Sequence, residues 1–237
     1  MKPRRTDVIA TTVGVLAAVL VTWGVKAAIV RARIDDRVES LTKGWPFDDA
    51  TRTRMGRVVE RELRPVFASP AFDRFLKENP GREAQLPPRG MVRLNDAELA
   101  AHLAIKKRLA FASEAVCACA WDGQECSQAD NLRALSMLSD EELGTWYLIS
   151  ARATLAELEA TEPPPSRASD YDEGIRAIID GLGTSERERF LEVSVGNAVS
   201  KTDKCFAMRT LFTRLEALEP ALRARFTRAM LNVAATR

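Results

Sequence analysis

The sequence predicts an all-α fold: an N-terminal transmembrane helix, then a multi-helix array in two subdomains, stapled by disulfides. Three observations lead there. Ala, Leu, Glu and Arg dominate the chain, and all four favour helix. Period-two alternation is nearly absent: only Met91-Val92-Arg93-Leu94 and Leu191-Glu192-Val193-Ser194-Val195 hint at strand, the second inside a good helical frame. Residues 8–25 carry no charged side chain, and Ala27 to Val30 beyond Lys26 extend the apolar run to about the length that crosses a bilayer's hydrocarbon core.

Residues 1–7 form a basic tail with Lys2, Arg4 and Arg5 against Asp7. Residues 8–30 read as a retained signal anchor. The 18-residue uncharged core exceeds a usual cleaved signal, although Val25-Lys26-Ala27 would serve as a small-residue cleavage site. Trp23 and Lys26 suit the far interface, an amphipathic ring and a snorkelling ammonium. The basic residues on the two sides nearly balance, so the short basic amino end decides orientation, leaving the bulk of the chain outside the cytoplasm.

The helical domain is expected over residues 31–162. Helix continues from the span until Gly44-Trp45-Pro46 interrupts it, and Asp48 or Asp49 starts the next helix, which reaches about Pro65. On that helix Met55, Val59, Leu63, Val66 and Phe67 share one face. Arg54, Arg57, Arg61 and Arg64 occupy a separate sector of about 80° at 100° per residue. This arginine stripe is a candidate surface for anionic head groups or an acidic partner, although Glu60 and Glu62 stand at pairing distance along the helix. A short helix spans Phe72 to Leu76, and Asn79-Pro80-Gly81 and Pro87-Pro88-Arg89-Gly90 mark a loop.

Asn95 and Glu98 form a capping box that opens a long helix carrying Leu99, His102, Leu103, Lys106, Leu109 and Val116, ended by Asp122-Gly123. Another helix starts near Ser127. Ser139 with Glu142 opens one more, to about Ala160. A Pro-rich linker, 163–168, cannot be helical and separates a C-terminal four-helix segment, 169–237. Its helices are expected at about 170–181, 186–199, 203–218 and 220–235. Ser185 and Glu188 cap the second, and Pro220 sits in the first turn of the fourth.

Composition narrows the function. Beyond residue 30 the chain holds 31 basic and 32 acidic residues, so no global field draws nucleic acid. Arg outnumbers Lys 27 to 8, the usage of a high-GC bacterium.

Cys117, Cys119, Cys126 and Cys205 are the one cluster with candidate chemistry. In an oxidising compartment an even number of cysteines reads as disulfides. Side chains two apart on a helix point about 160° from each other, which separates Cys117 from Cys119. Cys117 shares a face with Leu99 and Leu103, and Cys205 one with Met208 and Phe212. The expected bonds are Cys117–Cys205 and Cys119–Cys126. The alternative is an envelope thiol or metal protein that holds copper or zinc through Cys117 and Cys119. No zinc spacing, Cys-x-x-Cys or haem motif supports it, and no metal ligand set or cofactor is assigned.

His102, the sole histidine, reads as a partly buried structural residue near Lys106. Gly181-Leu182-Gly183-Thr184-Ser185 lacks the lysine and the preceding strand of a phosphate loop and reads as a helix stop and start. No catalytic residue is assigned. A cell-wall hydrolase built on Asp and Glu is a further alternative, since paired carboxylates recur, but none is fixed in a cleft by sequence. The expectation is a single-pass protein of the bacterial inner membrane. Its bilayer contact is residues 8–30, and its periplasmic helical domain binds or scaffolds an envelope protein.

Overall fold

The computed structural model describes residues 31–121, 126–196 and 200–235, all helix and connecting turns with no strand among them. It falls into two units, residues 1–44 and Trp45–Arg237. In the first, residues 31–42 are helical, and Thr42 donates to the carbonyl of Val38 at 2.9 Å before the chain turns at Gly44. Among the described residues no helix is long and apolar enough to cross a membrane. The span expected at 8–30, like the Asp122-Gly123 turn, lies outside them.

The second unit starts at Trp45, within the Gly44-Trp45-Pro46 break and not at residue 31 where the helical domain was expected to begin. Asp48 accepts from the amide of Thr51 at 2.8 Å and caps α1, Asp49–Phe67. Pro65 lies within its last turn. Met55, Val58, Val59, Val66 and Phe67 are buried, while Leu63 is only partly so. α2 comes next as Pro70–Glu78, and Gly81 turns the chain with φ +76°.

The first departure from expectation lies just beyond. Residues 83–93 are not loop or strand but a string of short helices: a 3-10 turn at Glu83–Gln85, α3 at Leu86–Gly90 and a second 3-10 turn at Met91–Arg93. Pro87 and Pro88 fall in the first turn of α3, where a missing amide costs nothing. Leu86, Gly90, Met91 and Leu94 are buried against the rest of the unit, so this stretch is core.

α4, Asp96–Ala112, opens on the expected capping box. The Asn95 side chain accepts from the Glu98 amide at 2.9 Å, and Glu98 accepts from the Asn95 amide at 3.0 Å. The long helix stops ten residues early. Ser113 is extended (φ −139°, ψ 119°), its hydroxyl accepts from the amide of Val116 at 3.3 Å, and a separate α5 runs Glu114–Trp121. A serine that caps a new helix breaks the old one, which a periodicity reading passes over.

α6, Gln128–Ser136, starts where expected, with Ser127 as its cap, and α7, Asp140–Leu158, carries the predicted cap at Ser139. Beyond the proline run come α8, Ala168–Asp180, α9, Thr184–Ser194, α10, Lys201–Ala217, and α11, Pro220–Ala235. α9 starts one residue before Ser185, which is therefore inside the helix and caps nothing. Gly181 keeps a right-handed φ of −75°. The end of α8 is closed instead by Arg187, whose guanidinium donates to the carbonyls of Ile179 and Asp180.

The expected division near Pro163 is not seen, because Trp45–Arg237 is one compact unit. Helices from both sides of the linker share clusters: Leu103 of α4 packs with Ile178, Leu215 and Phe226, and Met91, Leu94, Leu99 and Ile149 with the partly buried Leu231. Ion pairs also cross it. Arg228, 3 % exposed, donates to the Leu94 carbonyl at 2.8 Å and pairs with Asp96 at 2.7 Å. A proline run fixes local backbone, but cores form wherever apolar faces meet.

Candidate functional site

The cysteines come together at the contact of α5 with α10. Cys119 and Cys126 are bonded, closing a short loop at the end of α5. Cys117 and Cys205 are also brought side by side, as their faces required, but stand as two thiols without the expected bond. Both are buried with Ala110, Ala118 and Met208. The Cys117 thiol donates to the Cys205 carbonyl at 3.5 Å, and the Cys205 thiol to the Glu114 carbonyl at 3.1 Å.

Burial, together with the neighbouring Cys205, pushes the Cys117 thiol up to about 12. A thiol held protonated is a poor nucleophile and a poor metal ligand. Cys119 is engaged in its bond, so the pair imagined for copper or zinc, Cys117 with Cys119, does not converge on one point. Among the described residues no group of three or more His, Cys, Asp or Glu side chains is placed to hold a metal ion.

The arginine stripe has a different fate at each position. Arg54 crosses to the end of α6, donating to the carbonyls of Ser136 at 3.0 Å and Leu138 at 3.2 Å and pairing with Asp140 at 3.0 Å. It closes a helix terminus more than eighty residues away, a link that no local pattern announces. Arg61 pairs with Glu62 at 2.5 Å, and Arg64 with Glu60. Arg57 is exposed and lines an open hollow of about 600 Å³ beside Asp49, Arg54, Arg61 and Asp140. The carboxylates around it make this a mixed surface rather than a purely cationic one.

A second grouping was not legible as a site. His102 and Lys106 lie one turn apart on α4 and both meet Trp146 of α7. The imidazole stacks on the indole at 5.4 Å between ring centres and 20° between planes, and the ammonium lies 5.6 Å from the indole centre. His102 is 7 % exposed, and its Nδ1 is buried with no hydrogen-bond partner. Burial and then the Lys106 charge drive its pKa down to about 3. Lys106 is half-buried, and desolvation of its ammonium lowers its pKa as well. Next to Trp146, burial raises the Tyr147 phenol to about 12.

Lys106 and Trp146 border a cavity of about 310 Å³, reached also by Asn131, Cys126 and Phe212. The only signal in sequence was the one-turn spacing of His102 and Lys106. Trp146 lies 40 residues further on, and its arrival depends on how α7 packs across α4.

The depressed His102 pKa has a measurable consequence. The unfolded chain takes a proton near pH 6.5. The folded chain refuses it until about pH 3. Stability is therefore fully present above pH 6.5 and falls as the pH drops through the window between the two values. The expected contribution to this loss between pH 7 and pH 5 is about 2 kcal/mol. Urea unfolding at both pH values checks it: in His102→Phe the acid-side drop should shrink by about that amount, and an equal drop in both proteins would refute the assignment.

Comparison with protein-family models, with curated proteins and with solved structures finds no match, so the reading of this chain rests on its own residues.

Proposed function

We propose that this chain is a single-pass protein of the bacterial inner membrane whose periplasmic helical domain binds or scaffolds another envelope protein. The uncharged run at residues 8–25 supports the anchor. The Cys119–Cys126 bond supports an oxidising compartment for the helical domain.

The observation that carries the binding role is an apolar hollow of about 510 Å³ lined by Trp121, Tyr171, Leu191, Met208 and Met230. Leu191 at its edge is 42 % exposed, and Val195, one turn further along the chain, is 74 % exposed. Adjoining exposed apolar side chains mark contact surfaces, and methionines adapt to the shape of what binds. An apolar helix face of a partner protein fits such a hollow.

Two measurements test this in cells. Alkaline phosphatase fused after Arg237 should be active, because it folds only outside the cytoplasm. A photo-crosslinking residue at Val195 should give one discrete heavier species in membranes, while the same residue at the exposed Glu83 should not. An inactive fusion would refute the location. Identical patterns at 195 and 83 would refute the contact surface.

A further inference from the structure

The Lys106 cavity has a composition that the packing of the fold does not explain. Its described walls come from five helices and Cys126, and among those described residues Lys106 alone is charged. No carboxylate of the described residues lies within ion-pair distance of its ammonium, which stands over the Trp146 ring. By contrast, its sequence neighbour Lys107 pairs with Glu216 at 2.6 Å. A cation turned towards apolar walls without a counter-ion is destabilising unless an anion joins it.

The room is also specific. Ala110, Ala120 and Ala134 line the space where larger side chains would fill it. Trp146 and Phe212 present aromatic surface. About 310 Å³ is at the small end of ligand sites, enough for one or two fused rings.

We infer that this cavity is a binding site for a small aromatic monocarboxylate. Its carboxylate pairs with the Lys106 ammonium, and its ring body lies in the space left by Ala110, Ala120 and Ala134. Charge decides the class: one cation calls for one negative charge, and the apolar walls reject a second. The aromatic lining favours a flat body over a polar one such as a sugar acid. The site shares Ala120 with the hollow beside Leu191, but its Lys106, Asn131, Trp146 and Phe212 lining is its own, and it does not depend on the partner-binding role.

The test uses the full chain in nanodiscs, with 1-naphthoate as the probe and naphthalene-1-methanol as its neutral counterpart. Equilibrium dialysis should show saturable binding of one naphthoate per chain, at least tenfold tighter than the alcohol. Lys106→Met should weaken naphthoate at least tenfold and leave the alcohol unchanged, while Ala120→Leu should weaken both. A measurement on the unaltered protein runs alongside. The NMR-observed pKa of the Lys106 ammonium should rise when naphthoate binds and stay put with the alcohol. Equal affinity for acid and alcohol, binding that survives Lys106→Met, or an unmoved ammonium titration would overturn the proposal.

Discussion

Gly90→Ala is expected to cost more than about 3 kcal/mol, a large share of the 5–15 kcal/mol that holds a domain of this kind together. The reason is not backbone freedom, since Gly90 has an ordinary right-handed φ of −78°. It is the absence of a side chain. A Cβ there would overlap the Ala153 carbonyl oxygen, with the carbonyl carbon at 2.5 Å and Cα at 3.1 Å. Ala153 is fully buried within α7, so its backbone has nowhere to move. α3 would have to lift away from α7, taking Met91 and Leu94 out of their cluster.

Gly144, on the same α7, is the control. A Cβ there meets the end of the Arg61 side chain at 2.8 Å and the Glu62 carboxylate at an ordinary 3.6 Å, and the Arg61 side chain is 64 % exposed and able to swing aside. Gly144→Ala should be neutral or stabilise through helix propensity, by up to about 1 kcal/mol. Denaturant melts of the two variants give the comparison, and similar midpoints would show that α3 does not sit against α7 as described.

Phe226→Ala is the second large expected loss, about 3–5 kcal/mol. Phe226 is completely buried, packs with Leu103, Ile178 and Leu215, and lies 5.6 Å from the Tyr171 ring. Its ring occupies the place of a side chain at Gly174. A Cβ on residue 174 would overlap the ring and stand 2.7 Å from the Phe226 Cβ. α8 and α11 therefore meet as a large residue against none. Gly174→Ala alone should be strongly destabilising, and less so in a Phe226→Ala background, where the Cγ and Cδ2 atoms that the new Cβ would meet at 2.3 Å are gone. A double-mutant cycle by urea unfolding reads that coupling, and strict additivity of the two changes would contradict the contact.

Location and function call for a different kind of evidence from fold. The proposed anchor at 8–30 and periplasmic side rest on hydropathy and on the Cys119–Cys126 bond. The cavity at Lys106 is testable on purified protein whatever the compartment.

What was legible in the amino-acid order is local. Asp48, Asn95, Ser127 and Ser139 announced four helix starts, because a cap is a hydrogen bond between residues three apart. The face that buries Met55, Val59, Val66 and Phe67 was legible because helical period reports which side chains turn inward. Cys119–Cys126 could be read from seven residues of separation and opposed helix faces. The misread pieces show the limit of the same rules. Ser113 divides a helix whose apolar period runs on unbroken, and Pro87-Pro88 starts one where prolines suggested a loop.

Tertiary packing alone decided the rest. Gly90 against Ala153, Phe226 against Gly174, Arg54 on the carbonyls of Ser136 and Leu138, and Lys106 facing Trp146 all join residues 40 or more positions apart. The physical reason is range. Caps and periodicity act within about one helical turn, so their terms are written in neighbouring letters. Close approach, burial of a charge and the space left by three alanines depend on which faces the whole chain brings together.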